Sequence, residues 1–176
     1  MRGAFIEYLE GLYEDEERGA LAALRRGLGQ DPGEAAAMFP HVVPFLRDVR
    51  SGSWSEKAYF LVGALFAMHP GSGERKTSLG NALGEIWHET ERDSVEKRFV
   101  ALLDAHPDDL GEHLRQAISL LRANNVQLDW EMLLEHVEHW THEDRWAQRR
   151  WAHDFWTSRK KESAPVEGVA QEGAPS

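Results

Sequence analysis

Cysteine is absent from the sequence, which removes disulfide frameworks, zinc–thiolate centres, iron–sulfur clusters and thiol nucleophiles from consideration. Long apolar runs are missing as well: the longest, Tyr59 to Met68, falls well short of the roughly 20 residues a helix needs to span a bilayer. The opening stretch is interrupted by Glu7 and Glu10 and lacks the apolar block of a secretory leader. A cytoplasmic protein without membrane association is the expectation. Positive charge is scarce too, with 20 Lys+Arg against 30 Asp+Glu and a net charge of −10. That total argues against a chain that coats nucleic acid through bulk charge. Apolar residues, in contrast, make up 41% of the 176 positions, enough for a core in one domain or two small ones.

The net charge hides its distribution. Residues 1–17 hold one base, Arg2, and six acids, a balance of −5, and residues 162–176 add three Glu without a base. The intervening stretch, 18–161, is left with only −2. The acidic character therefore belongs to the two ends. Residues 162–176 are rich in Ala, Gly, Pro, Glu and Ser and offer only Val166 and Val169 to bury, too little to offset the entropy of ordering. They are expected to form a disordered acidic tail.

Apolar spacing is helical throughout, and no segment alternates as a half-buried strand does. Phe5, Leu9 and Leu12 mark a first helix; Leu21, Leu24 and Leu28 mark a second, closed by Gly29 and Pro32. Short helical pieces around Ala35–Met38 and Val42–Val49 are bounded by Pro40, Pro44 and Gly52. Ser55 is the expected cap of a stronger helix running to Pro70–Gly71. After a loop from His69 to Lys76, Leu79, Leu83 and Ile86 give a helix that Gly80 and Gly84 weaken. Ser94 and Asp108 open two more, the second stopping at Asn124–Asn125. Asp129 caps the next, and Thr141 the last, which runs to about Lys161. No proline interrupts 108–164, so three long helices joined by short turns are expected, as in an antiparallel bundle. The fold class is all-α: an N-terminal helical lobe over 1–70, a C-terminal antiparallel bundle over 71–161, and the tail.

Three constellations invite a chemical reading. Gly71 to Thr77 looks like a phosphate loop, but Arg75 stands where a Walker loop has Gly before its Lys, and no buried strand precedes it. An inter-helix loop fits better. His136, His139 and His142 recur every third residue with Glu135 and Glu138 between them. On one helix they spread over about 120°, so at most two share a face. Solvated helix-face histidines are expected, with no cofactor or metal. The competing reading is a metalloenzyme built on Glu85, His88, His136 and His139. Nothing singles out a nucleophile or general base, and there is no G-x-S-x-G elbow.

The basic residues are better organised than their number suggests. Arg18 and Arg25 are two helical turns apart, with Arg26 further round, and Arg115 and Arg122 repeat that stacking beside an apolar stripe. On the last helix Trp146, Arg149, Arg150, His153 and Trp156 share one broad face, while Ala147, Trp151 and Phe155 point away from it. Guanidinium forks match phosphate oxygens and indoles accept stacked bases. Alternatively, Trp146 and Trp156 form a second packing surface of a protein-only adaptor.

Read in order, these segments resemble a known family. They are Arg18 to Arg26, Leu61–His69 followed by Leu79 to Leu83, Ser94 to Phe99 leading to Leu102-Leu103, His113 to Arg122, Leu128-Asp129-Trp130, and Trp151–Phe155. From about residue 5 to 158 the chain resembles the CasB family, the small subunit of the type I-E CRISPR surveillance complex, Cascade. The resemblance implies an all-α, two-lobed subunit without a catalytic site. It implies packing against the large subunit, the backbone subunits and a second copy of itself, in contact with guide RNA and single-stranded non-target DNA so as to stabilise the R-loop. By the same resemblance Arg25, Arg26, Lys57, Arg98 and Arg115 are nucleic-acid-binding. Arg122 joins them by its stacking on Arg115, and Arg145, Arg149 and Arg150 by the geometry of the last helix alone, where this chain departs from the family's charge positions.

Overall fold

The computed structural model describes residues 1–72 and 76–158. The expected tail lies outside them, as does the middle of the segment compared with a Walker loop; the last helix, expected to run to about Lys161, ends at Thr157, with Ser158 extended beyond it. Among the described residues the regular structure is wholly helical. Helix α1 (Arg2–Glu14) turns back into α2 (Arg18–Arg25); α1 buries Phe5, Leu9 and Leu12 as expected, with Ile6 beside them, whereas α2 buries Leu21 and Leu24 but stops at Arg25, short of Leu28, which is partly buried in the turn beyond. Between Ala36 and Phe45, two 3₁₀ turns flank a single α turn, α3 (Phe39–Val42). Pro40 and Pro44 sit at the starts of such turns, where a missing N–H costs nothing.

Helix α4 (Trp54–Met68) is the axis of the molecule. Residues 58–60 and 62–67 are all buried, because α2, α7 and α8 pack around it. Its cap is Ser53, whose hydroxyl accepts the Glu56 N–H, and not Ser55. Ser53 sits three residues ahead of Glu56, the capping spacing, which frees the Ser55 hydroxyl to donate to the Glu138 carboxylate on α8.

Helix α5 (Leu79–Thr90) opens with a capping box between Ser78 and Asn81 and lies along α9 (Trp146–Thr157). Gly80 and Gly84 make that contact. A Cβ on Gly80 would stand 2.2 Å from the Trp151 carbonyl oxygen, and one on Gly84 2.7 Å from that of Phe155. The glycines that weaken α5 as an isolated helix are what allow two backbones to touch.

Helix α6 (Asp93–Leu103) starts one residue before Ser94. Helix α7 (Pro107–Ala123) starts one before Asp108, with Pro107 in its first turn. Helix α8 (Trp130–Glu138) is capped by Asp129 as expected, its carboxylate accepting the Met132 N–H. The other carboxylate oxygen accepts the Lys76 N–H, tying the preceding loop to α8. Thr141 is not the cap of α9: residues 139–145 form a turn pinned by Gln148, which donates to the Trp140 carbonyl at 2.8 Å, and Arg145 stands left-handed at the helix start.

The buried side chains form one continuous core from Phe5 to Phe155. Helix α8, late in the chain, packs on α1 and α4, so the core crosses the loop at 69–76 instead of stopping there.

Candidate nucleic-acid interface

Of the nine basic side chains singled out in the sequence, five are exposed and make no side-chain hydrogen bond or ion pair among the described residues: Arg26, Lys57, Arg98, Arg122 and Arg149. The other four are engaged. Arg25 reaches from α2 to α4, its Nε donating to the Ala67 carbonyl at 2.8 Å. Arg115 grips Glu112 through two hydrogen bonds of 3.0 and 2.8 Å. Those bonds, with one from Gln116, hold the Glu112 carboxyl below the usual carboxylate range and raise the Arg115 guanidinium further. Arg145 donates to the Leu103 carbonyl at 2.6 Å and lies 3.7 Å from Asp104. Arg150 donates to the buried Asp154 at 3.0 Å.

Lys57 and Arg115 come together across a cleft of about 690 Å³ between the turn at 27–34, α4 and the first turns of α7. Its floor is apolar, from Leu61, Ala64 and Leu65, and its rim also carries Asp31, Glu34 and Asp108. Arg122 continues the Arg115 face two turns along α7. Arg98 stands apart, beside His113 at a small pocket between α6 and α7. The cations are thus spread over several faces and interleaved with acids, in keeping with a central charge balance near zero.

The face of α9 divides. Trp151 and Phe155 are fully buried, as the sequence predicts. Trp146, expected beside the arginines, packs on His136 and His139 at ring-centroid distances of 5.4 and 5.2 Å. Trp156 is 42% exposed.

The histidine reading needs correction. His136 is a core residue: its Nδ1 accepts the Trp151 indole N–H at 2.7 Å, and burial pushes its pKa down to about 4. His139 caps the end of α8, donating to the Glu135 carbonyl at 2.8 Å, and His142 lies in the turn beyond. No single helix carries all three, because α8 stops before the second. Among the described residues no three His, Asp or Glu side chains converge as metal ligands, so Glu85, His88, His136 and His139 do not form a site there.

Sequence reading missed the partners of Arg115 and Arg150. Their signals were present as spacings: Glu112 three residues before one, Asp154 four after the other. Ser78, which donates to Asp154 at 2.6 Å from across the α5–α9 contact, had no such signal, being 76 residues away.

Comparison with known proteins gives the same picture throughout. The model of the family described as CRISPR-associated protein Cse2 matches residues 20–156. A protein of that description from Thermus thermophilus is 34% identical over 157 residues, covering 86% of this chain and 88% of its own. A crystal structure of a Cse2-family protein from the same organism superposes with a TM-score of 0.78 at 33% identity, over 88% of this chain and 97% of the other. A chain of a CRISPR RNA-guided surveillance complex matches with a TM-score of 0.74 at 28% identity, over 88% and 91%.

Proposed function

The chain belongs to the CRISPR-associated Cse2 family, and from that premise we propose that it is the non-catalytic small subunit of a type I-E CRISPR surveillance complex. In this reading it packs beside the large and backbone subunits and a second copy of itself. Its basic helix faces contact guide RNA and displaced non-target DNA and so stabilise the R-loop. The observation that carries the nucleic-acid part is the set of exposed cations without side-chain partners among the described residues: Arg26, Lys57, Arg98, Arg122 and Arg149. Arg25, Arg115, Arg145 and Arg150 contribute only where a phosphate displaces or supplements the partner each already holds.

The energetics suit a subunit that does no chemistry. R-loop formation is a near-balanced exchange of one duplex for another, with DNA stacking of about 1.4 kcal/mol per step. A few phosphate contacts on the displaced strand tip it. Such contacts act on backbone charge without reading bases.

The test uses the complex reconstituted with the other subunits. Arg122→Glu combined with Arg149→Glu is expected to leave helicity and assembly intact and weaken R-loop formation. Replacing each with Gln instead flattens the salt dependence by about 0.7 in log–log slope per phosphate contact removed on a single strand. Parental R-loop formation by both sets overturns the assigned surface.

A further inference from the structure

Helix α9 carries a single acid, Asp154, which is buried and engaged by Arg150 and Ser78. What α9 exposes to solvent is therefore Arg149, Arg150, His153, Trp156 and Thr157, without an exposed carboxylate. Arg149, His153 and Trp156 are spaced four and three apart, one stripe about 10 Å long.

Trp156 is 42% exposed, yet it is held. Its Nε1 donates to Glu96 Oε1 at 2.8 Å, and its ring makes T-shaped contacts with Phe99 and Phe155 at centroid distances of 5.5 and 5.1 Å. An exposed indole fixed at its N–H and on two aromatic neighbours has lost most of the rotamer freedom that stacking would otherwise cost. The N–H lies in the ring plane, so the Glu96 carboxylate sits at the indole edge, not over its face. It repels a phosphate from that end of the stripe while leaving the ring available to an uncharged base.

We propose that Trp156 is a stacking platform for one base of a single-stranded nucleic acid whose phosphates lie toward Arg149 and His153. This rests on the function proposed above and adds a residue whose contribution comes from a π-face, independent of charge.

The experiment uses the assembled complex with 5-iodouridine placed at successive positions of the displaced strand, since this base photo-cross-links to aromatic rings stacked on it. The expected result is a cross-link mapping to Trp156 from one or two adjacent positions. Trp156→Ala is expected to weaken R-loop formation about five- to twentyfold, the lower range for one base on an aromatic ring, with the salt slope unchanged. Trp156→Phe restores most of the loss. Cross-links that map elsewhere on this chain, with parental behaviour of Trp156→Ala, overturn the platform and leave the proposed function standing. No cross-link to this chain from any position, with charge reversals also silent, overturns both. The cross-link is read on the unaltered chain, so it decides even if Trp156→Ala fails to assemble.

Discussion

Burial leaves His136 with one protonation state at neutral pH, neutral and accepting from Trp151. Its folded pKa of about 4 lies below its ordinary 6.5, so between those values the unfolded chain takes up a proton that the folded chain refuses. Stability therefore falls as pH drops from about 6.5 toward 4, by about 3 kcal/mol in all. Urea unfolding across that range is expected to show the decline, and His136→Asn to remove this part of it. Arg150 and Arg149 give a second residue-scale contrast. Arg150→Glu sets a carboxylate against buried Asp154 and is expected to cost about 1–3 kcal/mol of stability. Arg149→Glu, next to it on the chain but without a side-chain partner among the described residues, is expected to change the melting temperature hardly at all. Equal melting of the two variants contradicts the division of the α9 arginines into structural and solvent-facing.

Among the elements, the seam between α5 and α9 is the most demanding. Gly80→Ala pushes a methyl against the Trp151 backbone, which has nowhere to go, and is expected to cost about 1–3 kcal/mol or more. Gly11 in α1 has no neighbour within 4 Å of such a methyl, and Gly11→Ala is expected to stabilise by about 0.5–1 kcal/mol. Denaturant midpoints of the two variants compare them directly. The same glycines mark where sequence reading stops. Apolar spacing places α1, α4 and α7 within a residue or two, because each stripe is a local pattern. Whether Gly80 weakens a helix or joins two depends on Trp151, which lies 71 positions away. The candidate surface has the same limit: spacing shows which arginines share a face, whereas the intramolecular partners of Arg25 and Arg145 are carbonyls from other helices.

At the scale of the whole molecule, the core is shared across the point where composition alone divides the chain. Helix α4 is enclosed by α2 from before the loop and by α7 and α8 from after it. Residues 1–70 prepared alone expose the α4 surface those helices cover, and are expected to lack a cooperative transition. The full chain is expected to unfold in one step, with far-UV circular dichroism and tryptophan fluorescence coincident. Two separated transitions would instead support the division at the loop. The enclosure of α4 also sets a clock. Its amides between Ala58 and Ala67 reach deuterated water only when the neighbouring helices part together, so their exchange rates report the free energy of global opening. Those of α3, a single turn with Phe39 at the surface, run far ahead. A subunit with this gradient can adjust its outer turns to neighbouring proteins while the axis beneath them keeps a fixed register.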